Sequence, residues 1–343
     1  MNAHAPQSCA TCNQHDCHLN FAALPVNPGQ TSFVLDQPWP EFTAYVAGRL
    51  GVDDQVLAPG FPGLARYAWP RVQATAAMAT LARHVAMRRV AHAAGSVRQD
   101  AYLRHDARLA AALGRRIDYL SRHVVVHQTF LPFLWRDGIL GGRSFDVLMT
   151  RYPLADLQAR LDAVHARHPH SRTIADFRAP AEIVAAESEA LAAARRLIAP
   201  HHDIAFGFGA RGLWLDWQRP APVSRQPGTR VAFLGPTIAR QGAYEVRDLA
   251  ASLAEPLIVF GGDLEGDDVW QGVRIERRGF SPDWLDGIAS ILHPAAVTHQ
   301  PRRLLEAVAA GVTVYASPAC GLAPGEFRPL EAFAGWEADV EQA

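Results

Sequence analysis

Short apolar runs separated by glycine- and proline-containing turns recur in the second half of the chain. Three of them, Val231–Leu234, Leu257–Phe260 and Val312–Ala316, predict buried strands. Between these runs, Tyr244–Leu253 and Arg302–Ala310 carry apolar residues at helical spacing. Strands that alternate with helices predict a doubly wound parallel sheet, in which ligands bind beyond the carboxyl ends of the strands.

The first half begins with a proline- and glycine-rich region and then becomes helical. One strand is predicted at Ser32–Leu35, and Ala68–Leu120 is a long Ala-rich helical block. From His123 onward, the runs VVVHQTF, FDVLM and TIADF predict strands that end in polar residues. Leu154–His168 and Ala181–Leu197 are the helices predicted between them. This part of the chain therefore also predicts a Rossmann-like α/β unit, preceded by a long helical segment.

A polar segment rich in proline, Gln218–Thr229, is the predicted boundary between the two patterns. With 343 residues, the chain is long enough for two domains with complete cores. We predict a Cys-rich leader over 1–30, a helical and Rossmann-like domain over 31–220, and a second Rossmann-like domain over 221–343.

Composition narrows the possible functions. All 33 residues counted as lysine or arginine are arginine, which excludes Schiff-base chemistry and a P-loop lysine. A net charge of −1 gives no basic excess of the kind that binds nucleic acid, so no nucleic-acid partner is expected. The amino-terminal sequence lacks the features of a signal peptide, and no apolar run approaches the length of a transmembrane segment. We expect a cytoplasmic protein.

The chain has four cysteines, at positions Cys9, Cys12, Cys17 and Cys320. The first three form a C-x2-C-x4-C pattern, and thiols crowded in this way suggest a metal site, either tetrahedral zinc or an iron–sulfur cluster. The fourth ligand could be His15, His18 or Cys320. Completion by Cys320 favours an iron–sulfur cluster, whereas completion by His18 suits zinc at least as well. The opposing interpretation leaves the leader thiols without metal and Cys320 as an ordinary packed residue.

Three stretches of the second half resemble the carboxy-terminal half of GT-B glycosyltransferases. They are Gly235-Pro-Thr-Ile-Ala-Arg-Gln-Gly242, Phe260-Gly-Gly-Asp263, and the segment from His299 to Val314, which contains Glu306 and Ala-Gly-Val-Thr-Val. The resemblance covers about the last third of the chain. It implies two Rossmann-like domains that face a cleft, a nucleotide-sugar donor of unknown base, and transfer of a sugar, of the hexosyltransferase class, to an unknown glycan, lipid or protein.

The resemblance also implies a donor site. Its predicted members are Gly235, Arg240, Gly261, His299, Arg302, Arg303 and Glu306. In the family the helix glutamate binds the ribose hydroxyls, and arginines here could hold the diphosphate at a helix N-terminus. The alternative is that Glu306 stabilises its own helix and the arginines face water. The sequence departs from the family at Thr298, where retaining members have glutamate, and at Pro236 and Gln241, where they have arginine and lysine.

On the acceptor side, polar residues at the ends of predicted strands are the candidates for a general base. His127 and Asp176 rank first, because they follow or lie late in apolar strands. Three functions remain open: a glycosyltransferase, a catalytically degenerate GT-B-like metalloprotein that acts in binding, sensing or assembly, and a protein whose metal centre is itself catalytic or redox-active.

Overall fold

The computed structural model describes residues 30–60, 69–91, 93, 95–174, 178–266 and 268–333. These residues form two compact units. The first unit contains the described residues within Met1–Ala155, Phe177–Pro200 and Ala205–Asp216, and the second contains those within Asp156–Asp176, His201–Ile204 and Trp217–Ala343. The second unit therefore takes residues from both sides of the predicted boundary near residue 220.

The first unit is built on a seven-stranded parallel sheet. Its strands are β1 (Thr31–Val34), β2 (Gln55–Ala58), β3 (Ala74–Thr75), β4 (His123–His127), β5 (Ser144–Leu148), β6 (Arg196–Ala199) and β7 (Gly212–Trp214). They follow the order β3-β2-β1-β4-β5-β6-β7, and all neighbours are parallel. Phe33 lies opposite Val125, and Val34 lies opposite Val126. The central strands β1, β4 and β5 are buried at every residue but the first, because both faces of a parallel sheet are covered.

The helices of the first unit differ in how much they bury. They are α1 (Pro40–Ala47), α2 (Ala77–Arg89), α3 (Gly95–Gly114), α4 (Leu131–Arg136) and α6 (Ala181–Ala193). Leu109 and Leu113 of α3 are fully buried, whereas Thr80 is the only buried residue of α2. The predicted helical block therefore folds as two helices, and its first residues also supply the short strand β3.

The second unit is a five-stranded parallel sheet. Its strands are β8 (Arg230–Leu234), β9 (Leu257–Phe260), β10 (Ile275–Arg278), β11 (Ile288–His293) and β12 (Thr313–Ala316). The order is β10-β9-β8-β11-β12, with α8 (Ala243–Ala250) and α9 (Arg302–Ala309) among its helices. Phe233, Val246, Val259 and Trp270 belong to one buried core cluster. The predicted class, α/β with two Rossmann-like parts, is confirmed.

Two helices contain residues assigned to both units, α5 (Leu154–Arg167) and α7 (His202–Gly207). The region after α5 packs within the second unit: the ring of His168 stacks on Tyr244 at 4.5 Å and its Nε2 lies 3.0 Å from Glu245 Oε1. The strand predicted at TIADF was wrong as far as the structure describes it. Thr173 and Ile174 lie in a bend and a turn, and the rest of that run lies outside the described residues.

Candidate functional site

The strand order of the second unit creates a switch point beside β8. From β8 the chain moves to β9 and β10 on one side, and later to β11 and β12 on the other. The loops after β8 and β11 therefore leave in opposite directions, which opens the crevice where doubly wound sheets bind ligands. The two loops are joined at their base, because the amide of Ala296 donates to the carbonyl oxygen of Arg240 at 2.9 Å. The side chain of Arg240, a predicted donor-site residue, is half-buried.

Glycines allow the backbone to approach closely around this crevice. A Cβ at Gly235 would lie 2.1 Å from the carbonyl oxygen of Phe260, and Gly261 has a positive φ of 80°. Gly242, with φ of 79°, would bring a Cβ within 2.4 Å of Cγ of Pro294. These contacts explain why glycine stands at each position. The binding role predicted for Gly235 and Gly261 stays a prediction.

The two arginines at the start of α9 point to different parts of the second unit. The guanidinium of Arg302 lies 5.0 Å from the ring of Trp217, whose Nε1 donates to the carbonyl oxygen of Gly321 at 2.9 Å. The guanidinium of Arg303 lies over the ring of Phe280 at 4.5 Å. Successive residues of a helix are about 100° apart, so the two side chains leave the helix in different directions. The predicted arginine pair is thus divided between the loops after β12 and β10.

Glu306 and Arg303 form a cluster with two aromatic residues from the loop after β10. We call Phe280, Trp284, Arg303 and Glu306 the aromatic–carboxylate cluster. Oε2 of Glu306 accepts from Arg303 Nη1 at 2.5 Å and from Trp284 Nε1 at 3.2 Å. Phe280 is 41% exposed, and its inner neighbour Phe260 stacks with it at 4.8 Å. The cluster thus presents an aromatic ring, a carboxylate and a cation side by side at the surface.

The end of β11 holds a buried neutral histidine. Burial lowers the pKa of His293 to about 4, and its Nε2 lies 2.8 Å from Oγ1 of Thr298. Among the described residues, Nδ1 of His293 has no hydrogen-bond partner. The hydroxyl of Thr298 is therefore held inside the second unit, at the position where the sequence resemblance would place a glutamate. His299, a predicted donor-site residue, follows it in the same loop and is half-buried.

Glu265, which no sequence pattern singled out, fixes the loop after β8 through its carboxylate. Glu265 is 4% exposed and accepts from Ser171 Oγ, the Arg172 amide, Thr173 Oγ1, the Ala239 amide and Tyr244 OH. Burial by itself raises the pKa of Glu265, but these hydrogen bonds outweigh it and the pKa is lowered. The carboxylate is therefore ionised, and it ties the segment after α5 to the turn that precedes α8.

The first unit has its own switch point, between β1 and β4. Asp36 follows β1 by two residues, and His127 is the last residue of β4. Asp36 receives two bonds from Arg83, at 2.8 and 3.2 Å, and Arg83 Nε lies 3.1 Å from Asp106 Oδ1. Burial raises the pKa of Asp106 to about 7, although Arg83 acts in the opposite direction. We call Asp36, Arg83, Asp106 and His127 the histidine–aspartate cluster.

His127, the first catalytic candidate, is 3% exposed. Burial lowers its pKa to about 4 against the charge of Asp36, which raises it, so the imidazole is neutral at pH 7. Its Nδ1 accepts from the amide of Thr129 at 3.3 Å, which assigns the proton to Nε2. Nε2 has no hydrogen-bond partner among the described residues. Nε2 of His127 can therefore donate a hydrogen bond. It can act as a base only after the imidazole changes tautomer.

Other polar residues at the strand ends of the first unit serve the fold. Oε1 of Gln128 accepts from the amides of Thr150 and Arg151, and Arg151 pairs with the buried Glu187 at 2.7 Å. Oε2 of Glu187 also accepts from the Leu154 amide at 2.5 Å. Asp176, the second catalytic candidate, lies outside the described residues.

The predicted metal site is described only at Cys320. Cys9, Cys12 and Cys17, like His15 and His18, lie outside the described residues. Cys320 is fully buried, and burial raises the pKa of its thiol to about 12. Within the described ranges, no group of three His, Cys, Asp or Glu side chains is suited to a metal ion. The described residues do not form a metal site by themselves, so the four-cysteine set stays a prediction. Metal analysis of the protein beside a Cys320→Ser variant checks it.

No family model and no curated protein matches the sequence. Among solved structures, the chain is similar to UGT89C1 of Arabidopsis thaliana complexed with UDP, with 12% identity and a TM-score of 0.40, over 84% of this chain and 80% of that one. The chain is also similar to an α,α-trehalose 6-phosphate synthase from Burkholderia multivorans, with 11% identity and a TM-score of 0.40, over 84% of this chain and 82% of that one. A third similar structure is UGT71G1 of Medicago truncatula complexed with UDP-glucose, with 10% identity and a TM-score of 0.38, over 84% of this chain and 80% of that one. A likeness of this degree assigns neither a family nor a ligand to the chain.

Proposed function

We propose that this protein is a glycosyltransferase whose second unit binds the nucleoside diphosphate of a nucleotide-sugar donor. The observation that carries the proposal is the aromatic–carboxylate cluster, which lies at the carboxyl end of a sheet with order 3-2-1-4-5. The sequence resemblance to GT-B glycosyltransferases at Gly235–Gly242 and around Glu306 supports the same function.

Each part of the donor has a proposed partner in the second unit. The base stacks on the part of the Phe280 ring that the Arg303 guanidinium covers before a ligand binds, and the ribose hydroxyls bind Glu306. The diphosphate accepts hydrogen bonds from the amides at the start of α9 and is surrounded by Arg302, Arg303, Arg240 and His299. Gly235 and Gly261 leave room for the backbone to approach the phosphates.

In the same proposal the acceptor is bound by the first unit, near the histidine–aspartate cluster. His127 contacts the acceptor hydroxyl through Nε2, and the reaction transfers the hydroxyl proton to a base while the oxygen bonds to the sugar and the nucleoside diphosphate leaves. His127, after a change of tautomer, or Asp176 is the base. The charge of Asp36 favours an imidazolium that forms in the reaction.

Nucleotide binding tests the donor site. UDP, GDP, ADP and dTDP are titrated while tryptophan fluorescence is recorded, since Trp284 belongs to the cluster. We expect Kd for the preferred nucleotide to rise about tenfold or more in Glu306→Ala, because bonds to charged groups contribute about 1.5–3 kcal/mol. Phe280→Ala should raise Kd by a similar factor through lost stacking. Glu255→Ala and Phe206→Ala change exposed residues elsewhere and should leave Kd unchanged. If no nucleotide binds, the donor-site proposal is wrong.

Release of the nucleoside diphosphate from the matching sugar donor tests the role of His127. A general base contributes about 10²- to 10⁴-fold. If His127 is the base, His127→Ala and His127→Gln should both lose activity on this scale, with nucleotide Kd unchanged. If His127 only donates a hydrogen bond, His127→Gln should keep most of the activity, because an amide nitrogen can replace Nε2. Full activity in His127→Ala would contradict both roles.

A further inference from the structure

Helices α2 and α3 enclose an apolar groove that the proposed nucleotide site does not use. The groove has a volume of about 510 Å³. On α2, Met78, Leu81 and Val85 are 79%, 43% and 39% exposed, respectively. Their spacing of three and four residues puts them on one face of the helix. A helix of 13 residues that buries only Thr80 has an apolar face without a partner among the described residues.

The rim of this groove is basic. Arg89, Arg104 and Arg108 line it with His105, and its lining contains no acidic residue. Together α2 and α3 carry six arginines against two aspartates, and one of these, Asp106, is buried beside Arg83. Because the whole chain has a net charge of −1, the positive charge is local to these two helices. We call this surface the basic–apolar groove.

We propose that the basic–apolar groove docks the protein on an anionic lipid surface. Met78, Leu81 and Val85 would enter the boundary between headgroups and acyl chains, while the arginines contact anionic headgroups and keep their charge in water. The described chain contains no helix long and apolar enough to cross a membrane. Because the proposed attachment depends on anionic headgroups and a shallow apolar contact, it is peripheral and reversible, and salt weakens it.

Two other occupants fit the groove less well. A second copy of the chain, bound through the same face, would bring two basic grooves together, and the groove lining has no acidic residue to pair with the rim arginines. A nucleic acid would satisfy the arginines but would set phosphates beside Met78, Leu81 and Val85. A lipid surface supplies the anionic layer and the apolar layer together.

Co-sedimentation with vesicles tests the proposal. The complete chain is mixed with vesicles of phosphatidylcholine and phosphatidylglycerol, or of phosphatidylcholine alone, at several NaCl concentrations. We expect binding to the anionic vesicles that decreases with salt and little binding to the neutral ones. The double variant Arg104→Gln/Arg108→Gln should bind about thirtyfold more weakly, because each arginine near the surface contributes about fivefold. Leu81→Asp should also weaken binding, since it removes apolar contact and adds a negative charge.

A matched variant separates local charge from total charge. Arg136→Gln/Arg196→Gln removes the same charge from exposed positions of the first unit outside the groove, and it should bind like the original protein. Circular dichroism verifies that each variant is folded. Equal binding to neutral and anionic vesicles, or equal loss in both double variants, would overturn the proposal. Dimerisation or RNA binding that the groove variants abolish, with no vesicle binding, would also overturn it.

Discussion

Single contacts at the start of α9 determine how the proposed donor site could work. Arg303 and Glu306 are paired at 2.5 Å, and their side chains are 45% and 31% exposed. An ion pair this exposed contributes about 1 kcal/mol or less, because water and salt screen it. In the proposed donor site, a diphosphate would therefore displace Arg303 from Glu306 at little cost, and Glu306 would then bind the ribose hydroxyls. Before a ligand binds, the ion pair would keep both side chains at the proposed site.

Gly242 provides a prediction at the same scale. It caps the turn before α8 with a positive φ of 79°, and a Cβ there would lie 2.4 Å from Cγ of Pro294. We expect Gly242→Ala to lower the free energy of unfolding by about 2 kcal/mol or more, through backbone strain and overpacking. Gly262→Ala is the control, because a Cβ at Gly262 meets nothing within 4 Å. Urea unfolding measures both, and similar losses would contradict the argument.

At the scale of elements, Glu265 sets the loop that carries the predicted donor residues. Its carboxylate accepts a hydrogen bond from the Ala239 amide. The carbonyl oxygen of Thr237 accepts hydrogen bonds from the amides of Leu264 and Glu265. The loops after β8 and β9 are therefore fixed to each other before any ligand arrives. A ligand site on fixed loops loses less conformational entropy on binding than one on mobile loops.

Removing the charge of Glu265 should weaken this connection. In Glu265→Gln, an amide NH2 replaces one acceptor oxygen and faces groups that donate, so we expect a loss of about 2–3 kcal/mol in the free energy of unfolding. Tyr244→Phe removes one donor and should cost less, about 1 kcal/mol. Hydrogen exchange at the Ala239 amide should become faster in Glu265→Gln. Glu255→Gln, at a 52% exposed side chain, is the matched control. Unchanged exchange in Glu265→Gln would contradict the proposed connection.

At the scale of the whole molecule, both units follow one plan. Each parallel sheet reverses its strand order beside its first strand, β1 or β8. In both sheets, titratable side chains are buried at the carboxyl ends of the strands next to this reversal. His127 and His293 both end the strand across that reversal, β4 in one sheet and β11 in the other. Burial lowers the pKa of each to about 4, so both are neutral in the folded protein near pH 7.

This arrangement predicts how stability depends on pH. The unfolded chain protonates these histidines at their ordinary pKa of about 6.5, whereas the folded protein resists protonation until about pH 4. Their contribution to the free energy of unfolding is complete above pH 6.5. It is lost as the pH falls toward 4, at about 1.4 kcal/mol per pH unit for each histidine. Asp106 acts in the opposite direction, because its raised pKa makes the folded state bind the extra proton.

Urea unfolding between pH 4.5 and 7.5 measures this dependence. His293→Gln should reduce the slope of the free energy of unfolding against pH by about one proton below pH 6.5. His170→Gln, which changes an exposed histidine, controls for a general effect of the substitution. An identical slope in His293→Gln and the original protein would show that His293 does not resist protonation in the folded state.

Local chemistry in the sequence determined the fold class and several strands. β4, β5, β8 and β9 are nearly continuous apolar runs, because a parallel sheet buries both faces of its central strands. Edge strands lack this signal: β10 has the sequence IERR, with one exposed and three half-buried residues, and β3 has only two residues. Neither was predicted, and TIADF carried the apolar signal without forming a strand over its described residues.

The candidate sites depended more on tertiary structure. The sequence placed His127 at a strand end, and the same rule could have found Asp36, which follows the predicted strand Ser32–Leu35. Nothing in the sequence joins Asp36 to Arg83, 47 residues later, or Glu265 to the segment around Thr173. Nor does adjacency in sequence show that Arg302 and Arg303 diverge. Burial of apolar runs is a local property that the sequence records directly, whereas partners distant along the chain meet only after the sheets and helices have packed.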